Sequence, residues 1–293
     1  PLEDKIAATK ALLRSGATIV EFNTVRKHIS AIKGGMLARA AYPARVVNLL
    51  LSDVPGDREE IIASGPLCPD PSTFDEAMRV LKLRGLVGAI PDSVEGHIIR
   101  GIRGQIAETP KPDDKAFRHV ITKVVAGGRM ALRSMERLCR KSNWGVNALT
   151  SCMEGEAREV GTVLASIGIE LVSKGGNRPK VVLASGETTV TIRGDGRGGR
   201  NQELALSAAI KLWGNQGVTV ASMGTDGIDG VTDAAGALVD GRTFDEIIGL
   251  GLNPRDALNR NDSYTALRSA HSLIFTGPTG TNVSDIMVIV AVP

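Results

Sequence analysis

The chain has 293 residues, of which 42% are hydrophobic and 23% are charged, as is ordinary for a globular protein with a full core. Only 3% are aromatic and the net charge is +3, which argues against single-stranded nucleic acid binding by stacking and against a basic DNA-binding stripe. No apolar run approaches the ~20 residues of a membrane span, and no signal peptide opens the chain. We therefore expect a cytoplasmic protein that binds neither nucleic acid nor membrane.

The cysteines and histidines show no metal-binding pattern. Three cysteines are too few and too scattered for a zinc site or a disulfide framework, so we expect free thiols in a reducing compartment. The four histidines have no ligand spacing and are expected to be ordinary surface or packing residues. These residues are Cys68, Cys139, Cys152, His28, His97, His119 and His271.

The first half of the chain predicts helices, loops and one strong strand. A helix is expected from Asp4 to Leu13, and a short apolar strand from Ala17 to Phe22. The run from Arg45 to Leu51 is rich in Val and Leu, which is typical of a buried strand of a parallel sheet. Surface helices are predicted at residues 73–83 and 93–101.

Charged residues in this half are candidate ligand contacts. Arg26 and Lys33 concentrate positive charge before a Gly-Gly turn, and this pattern fits either an anion-binding edge or a solvated helix face. Asp53 follows the strand at 45–51, where open α/β sheets place their sites, and its carboxylate is suited to hold Mg²⁺ through water. A structural aspartate in a Pro-Gly turn fits this position equally well.

The strongest linker signal lies between Gly104 and Asp114, where prolines and charged residues interrupt any periodicity. It predicts two α/β domains, at residues 1–115 and 116–293. Strands and helices alternate after the linker, so we expect mostly parallel sheets. The elements are strands at 120–126, 145–150 and from Val181, with helices at 131–141 and 154–169.

The segment from Val181 to Glu203 predicts a strand, a glycine loop and a helix. The loop holds four glycines within residues 194–199, and the apolar spacing after it is that of a helix face. Backbone N–H groups at such a helix start, with Arg197 and Arg200 beside them, suit a phosphate-bearing ligand.

The same glycines formally satisfy the G-x-G-x-x-G pattern of dinucleotide-binding folds. The match is weak, because the preceding run at 188–192 is polar at alternate positions and two arginines crowd the loop. The next strand, at 218–223, ends in Thr225-Asp226 instead of presenting a lone acid to a ribose. An NAD(P)-dependent reductase therefore stays as an alternative that would need this loop to hold a dinucleotide.

Residues 224–237 place carboxylates on a loop that glycine lets bend freely. The spacing lacks the alternation and closing Glu of an EF-hand, so a Mg²⁺ or general-base site is favoured, with plain turn chemistry as the alternative. The residues concerned are Thr225, Asp226, Asp229 and Asp233, of which Asp229 and Asp233 are the candidate metal ligands. Final strands are expected at 273–275 and 286–292.

Three long motifs resemble the glycerate 2-kinase family, whose C-terminal domain was named for its leucine-rich fragments. They are GRGGRNQE at 196–203, GTDGIDGVTDAAGA at 224–237 and TGPTGTNVSD at 276–285. First-half segments such as SDVPGDREEIIASGP and ETPKPDD resemble the same family, so the similarity runs from Leu2 to Val292. Some members carry the older label hydroxypyruvate reductase.

The resemblance implies phosphorylation of D-glycerate at its 2-hydroxyl, with ATP and Mg²⁺, in a cleft between a Rossmann-like N-terminal domain and a second α/β domain. Arg200 and Asp226 match the family's catalytic arginine and aspartate. The family also uses a lysine from an earlier glycine-rich segment, which has no match here. Because the chain starts at Pro1, inside a predicted helix and without Met, we expect a truncated N-terminal domain. A nucleotide-binding module without catalytic activity is therefore a further alternative.

Phosphoryl transfer requires charge neutralisation and positioning, which assigns a role to each candidate. Arg200 is expected to stabilise the transferring phosphoryl group, and Asp226 to orient or deprotonate the attacking hydroxyl. Glu187, Asn201 and Glu203 are assigned to hold the arginine or the water around Mg²⁺, and Asp53, Lys33 and Arg26 to line the facing wall and grip the substrate carboxylate. Further substrate or nucleotide contacts are expected at Gly196, Gly198, Gly199, Thr225, Thr281 and Asn282. A homodimer is left open.

Overall fold

The computed structural model describes residues 1–293 and divides them into two compact units. The first unit contains residues 1–50 and 58–125, and the second contains residues 51–57 and 126–293. The linker predicted at 104–114 and the boundary expected at 115 both fall inside the first unit. Residues 51–57, which are the last residue of the strand of the first half and the segment after it, belong to the second unit.

The first unit consists mainly of helices packed around an apolar core. Fully buried side chains from three helices, among them Leu12, Leu81 and Ile98, form this core. The helices are α1 (Leu2–Arg14), α2 (Ile19–His28), α3 (Met36–Ala41), α4 (Phe74–Leu83) and α5 (Asp92–Ile102), with 3₁₀ turns at Ile62–Ser64 and Lys115–His119.

The strand expected from Ala17 to Phe22 is wrong, because α2 begins there. The Thr18 side chain accepts a hydrogen bond from the Glu21 N–H, and the Glu21 carboxylate accepts one from the Thr18 N–H. This capping box satisfies two N–H groups at the start of the helix. The T-x-x-E spacing in the sequence indicates this helix start, and it outweighs the apolar run that had indicated a strand.

Two strands, β1 (Val46–Leu51) and β2 (Val120–Ala126), form a small sheet. The strand predicted at 45–51 is confirmed, but its predicted burial is wrong, since Val47 and Leu49 are 66% and 62% exposed. The first unit therefore contains helices and this two-stranded sheet, and the Rossmann-like character of the domain to which it belongs stays a prediction.

The second unit is built on a six-stranded sheet, which confirms the α/β class. The strands, in spatial order, are β3 (Gly145–Met153), β4 (Lys180–Gly186), β8 (Asp285–Ala291), β5 (Val218–Gly224), β6 (Gly236–Asp240) and β7 (Leu273–Ile274). Only the pair β3–β4 is parallel, and the other four pairs are antiparallel. The expectation of a mostly parallel sheet is corrected by β8, which lies between β4 and β5 and runs in the opposite direction.

Helix α8 (Arg200–Leu212) lies at the centre of the second unit, with ten of its thirteen residues buried. A helix that is buried nearly all round belongs to the core, and α8 packs against α7 and the sheet. The other helices of this unit are α6 (Gly128–Lys141), α7 (Ala157–Ser173), α9 (Thr243–Gly249), α10 (Pro254–Asn259) and α11 (Ser263–Ser269). None of the eleven helices combines the length and apolar character needed to cross a membrane.

The packing of α7 on α8 depends on Gly161. A Cβ atom at this position would overlap the backbone carbonyl of Leu204, which cannot rotate aside. We expect Gly161→Ala to lower the free energy of unfolding by about 1–3 kcal/mol, although alanine is the better helix former. Chemical denaturation measures the change. Gly249→Ala is the control, because a Cβ there meets nothing within 4 Å, and equal midpoints for the two variants would contradict the prediction.

The three cysteines are free thiols, as expected. Burial raises the pKa of the Cys68 thiol to about 11, and the charges of Glu59 and Glu60 add to the shift. Because the thiolate is the reactive form, Cys68 is an inert core residue.

Candidate active site

Arg200, the first residue of α8, lies where three neighbouring strands meet. Strand β8 begins at Asp285, which stands in register with Gly186 at the end of β4 and with Gly224 at the end of β5. The Arg200 guanidinium donates to both oxygens of the buried Asp285 carboxylate, from Nε to Oδ2 over 2.5 Å and from Nη2 to Oδ1 over 3.0 Å. Its third nitrogen, Nη1, forms an ion pair with Glu187 Oε1 at 2.8 Å. The side chain of Arg200 keeps 33% of its surface exposed.

Carboxylates dominate the electrostatics around this guanidinium. Burial raises the pKa of Glu187 above its ordinary value, and the charges of Asp285, Asp53 and Asp226 raise it further, against the lowering effect of Arg200. Burial alone would lower the pKa of Arg200, but the hydrogen bonds and charge of Asp285, with Glu187, raise it well above its ordinary value. Arg200 therefore stays charged at any working pH and holds together a group of acids that repel one another.

Asp226 lies in the turn that follows β5. Its Oδ1 accepts a hydrogen bond from the Ile228 N–H over 3.1 Å, while Oδ2 accepts none from the chain. Its backbone carbonyl accepts from the Thr279 N–H over 3.0 Å, which fixes the turn to the loop at 276–284. One carboxylate oxygen of Asp226 is thus available to a ligand in the neighbourhood of Arg200.

The loop that precedes β8 brings further predicted residues to the same place. Thr225 Oγ1 donates to the Ser284 carbonyl over 2.7 Å and accepts from the Val283 N–H over 2.8 Å. Asn282 Oδ1 accepts from the Ser284 N–H over 3.0 Å, and the carbonyl of the exposed Thr281 accepts from the Thr279 hydroxyl. Thr225 is therefore an anchor of the loop, while Thr281 and Asn282 present exposed polar groups.

Asp53 belongs to the second unit, although it comes from the first half of the sequence. Its backbone carbonyl accepts a hydrogen bond from Ser284 Oγ over 2.8 Å, next to Asp285, and its side chain is exposed. The expectation that Asp53 faces Arg200 from another domain is corrected, because both lie in the same unit.

Arg26 and Lys33 lie in the first unit. The guanidinium carbon of Arg26 is 4.9 Å from the centre of the Phe22 ring, and Lys33 Nζ donates to the Ala63 carbonyl over 2.9 Å. Burial lowers the pKa of Lys33, and the charges of Arg26 and Lys5 lower it further. The positive charges of these residues therefore act on one another. Binding of the substrate carboxylate by Arg26 and Lys33 stays a prediction.

The glycines of the 194–199 loop are required by packing inside the second unit. A Cβ atom at Gly194 would lie 2.6 Å from the Arg260 backbone, and one at Gly196 would lie 2.6 Å from the Arg260 carbonyl oxygen. At Gly198 it would overlap the Ser263 hydroxyl, and at Gly199 the carboxylate of Asp229. These close contacts within the chain are sufficient to explain why glycine is required at the four positions.

The start of α8 already holds an anion, the carboxylate of Asp229. Asp229 accepts from the backbone N–H groups of Asn201 and Gln202 over 3.1 and 2.9 Å, and from both side-chain amides. Such a carboxylate caps the helix and is stabilised by its dipole. Asp229 therefore occupies the N–H groups that the predicted phosphate cradle would use, and ligand contacts by Gly196, Gly198 and Gly199 stay a prediction.

Burial and bonding bear on four further assignments. Asn201 is buried against Ser222 and Asp229, while Glu203 is buried between Arg158, at 2.7 Å, and Asn261, at 2.9 Å. Neither side chain bonds to Arg200, and their assignment to hold the arginine or the water around Mg²⁺ stays a prediction. The metal assignment fails, because Asp229 caps α8, Asp233 accepts from the Tyr264 hydroxyl over 2.7 Å, and no three His, Cys, Asp or Glu residues converge on one point.

Asp285 is a residue of the candidate site that was not singled out from the sequence. It is the last residue of the motif TGPTGTNVSD and stands directly before the apolar run of the last strand, but the motif does not indicate its partner. Its partner Arg200 lies 85 residues earlier, so only the register of β8 with β4 and β5 reveals the pair.

Comparisons with known proteins agree with the motif resemblance. The model described as the MOFRL family matches residues 180–285, and the model described as a domain of unknown function (DUF4147) matches residues 1–99. The chain is 44% identical to D-glycerate 2-kinase of Thermotoga maritima over 98% of its own length and 66% of that protein. It is 35% identical to a glycerate kinase of Macaca fascicularis, of which it covers 82%.

A crystal structure of glycerate kinase from Thermotoga maritima superposes with a TM-score of 0.89 at 43% identity, over 100% of this chain and 68% of that one. The chain thus spans about two thirds of the length of the Thermotoga relative.

Proposed function

The chain belongs to the glycerate kinase family, and on that premise we propose that the protein containing it transfers the γ-phosphoryl group of ATP to the 2-hydroxyl of D-glycerate. The product is 2-phosphoglycerate. The observation that carries this proposal is the permanently charged, partly exposed Arg200, which Asp285 holds where β4 and β5 end. Asp226 follows β5 and has one carboxylate oxygen without a partner in the chain.

In this proposal, Arg200 neutralises charge on the phosphoryl group. Phosphoryl transfer spreads negative charge over the equatorial oxygens, and a fixed guanidinium stabilises that charge without having to reorganise. Asp285 occupies Nε and Nη2, so Nη1 is the edge that meets the phosphoryl oxygens. Glu187 holds Nη1 until the substrates arrive.

Asp226 orients the 2-hydroxyl of the substrate and accepts its proton through the oxygen that has no partner in the chain. Mg²⁺ prefers carboxylate oxygens and water, and the exposed carboxylate of Asp53 and the half-buried carboxylate of Asp226 fit this chemistry. When bound, the ion supplies charge neutralisation of the nucleotide phosphates.

Contacts around the glycine loop and the start of α8 argue against the reductase alternative. A dinucleotide would need a close backbone approach at the glycine loop and a free helix start. The glycines instead contact Arg260 and Ser263, and Asp229 occupies the start of α8.

The test is ATP consumption by the full-length protein with D-glycerate and Mg²⁺, with the product identified by enolase. Direct coupling to enolase is expected, because enolase uses 2-phosphoglycerate. A signal that appears only after a mutase is added would mean the 3-isomer. NADH oxidation with hydroxypyruvate and no ATP use would favour the reductase, and ATP binding without turnover would favour an inactive module.

A further inference from the structure

Asp285 occupies an unusual position in the sheet. It is 1% exposed, it starts the strand that lies between β4 and β5, and both of its register partners, Gly186 and Gly224, are glycines. A Cβ atom at Gly224 would lie 3.6 Å from Asp285 Oδ1 and 2.9 Å from Asp226 Oδ1. A Cβ atom at Gly186 would overlap the backbone of Met153, so this glycine is required by the packing of β4 against β3.

The buried carboxylate has a single charged partner, the guanidinium of Arg200. A buried charge is costly unless it is paired with good geometry, and the two parallel N–H···O bonds to Asp285 provide that geometry. Because the guanidinium is planar and rigid, fixing Nε and Nη2 also fixes the direction of Nη1.

The two carboxylates around Arg200 differ in burial. Asp285 is enclosed in the sheet, whereas 46% of the Glu187 side chain is exposed. Glu187 Oε1 therefore marks a place, 2.8 Å from Nη1, where an anionic oxygen sits and can be exchanged for another.

We propose that Asp285 is the positioning residue of the site, which holds Arg200 so that Nη1 faces the position of the transferring phosphoryl group. This inference rests on the proposed kinase function. Asp285 touches neither substrate; it acts through Arg200, and its loss leaves a charged guanidinium in the wrong orientation.

The experiment is chemical rescue of Arg200→Ala in the full-length protein by free guanidinium ion. We expect guanidinium to restore kcat at least roughly tenfold in Arg200→Ala, because the Asp285 carboxylate binds the ion in the place of the lost side chain. The double variant Arg200→Ala, Asp285→Asn should show no rescue. Asp285→Asn alone should lower kcat roughly 10–100-fold, because the Arg200 guanidinium is then misplaced. The KM for ATP should stay within about twofold of wild type.

Asp245→Asn is the matched control, since it makes the same change at an exposed carboxylate. Asp245 lies on α9 and accepts a hydrogen bond from Trp213 Nε1. If Asp285→Asn does not fold, Asp285→Glu keeps the charge and shifts the carboxylate by one methylene, and it should fold and still lose kcat. Rescue that persists in the double variant, or wild-type kcat in Asp285→Asn or Asp285→Glu, would overturn the positioning role alone. A wild-type protein without ATP turnover on D-glycerate would overturn the kinase function and, with it, this inference.

Discussion

Arg200→Ala is expected to lower kcat for D-glycerate phosphorylation by about 10³-fold or more, the scale of losing the arginine that stabilises a phosphoryl transition state. The expected loss is in kcat, because the interaction with Nη1 strengthens as charge develops on the phosphoryl oxygens. Steady-state kinetics on the full-length protein, with ATP and D-glycerate varied in turn, measures the change. Turnover near that of wild type would exclude Arg200 from the chemistry.

The same substitution is also expected to lower the free energy of unfolding. It leaves the Asp285 carboxylate buried without its partner, and breaking a fully buried pair costs roughly 3–5 kcal/mol. The loss here should be smaller, because a third of the Arg200 side chain is exposed and water can reach the vacated space.

Arg200→Lys separates the two effects. Lysine keeps the charge beside Asp285 but lacks the planar fork that bonds both carboxylate oxygens while presenting a third nitrogen. We therefore expect its melting temperature to lie closer to wild type than that of Arg200→Ala, while kcat falls nearly as far. A lysine variant with high turnover would mean that only charge, and not geometry, matters at this position.

Local patterns in the sequence predicted most elements of the second unit. The apolar spacing after Gly199 located α8, and the alternation of strands and helices gave β3, β4 and β5 one common direction. The pattern could not reveal that β8 enters between β4 and β5, because a seven-residue apolar strand carries no information about its neighbours.

The candidate site was predicted only in part for a related reason. Motif resemblance identified Arg200 and Asp226, but the partners that define their roles are distant in sequence. Asp229 caps α8 from 28 residues away and Asp285 pairs with Arg200 from 85 residues away. The glycines of the loop looked like a phosphate cradle because dense glycine marks any close backbone approach, whether to a ligand or to the chain itself.

Asp229→Ala is expected to destabilise the second unit by about 1–3 kcal/mol, because it removes a buried acceptor and leaves the donors of Asn201 and Gln202 without partners. The first turn of α8 should fray, which would also displace Arg200. Chemical denaturation followed by circular dichroism measures the loss. Asp233→Ala, at an exposed carboxylate bonded to Tyr264, is the control and should leave the midpoint close to wild type.

Asp229→Asn should lose less than Asp229→Ala, and the size of its loss should depend on pH. Burial raises the pKa of Asp229 above its ordinary 3.8, against the lowering effect of the hydrogen bonds from Gln202 and Asn201. A raised pKa in the folded state means that this carboxyl stabilises the fold most when it is protonated, and that the contribution is lost as the pH rises through the raised value. Asparagine does not titrate, so the stability difference between wild type and Asp229→Asn should narrow as the pH rises from about 4 towards neutrality. A difference that widens over this range would show that the hydrogen bonds to the charged carboxylate outweigh its desolvation.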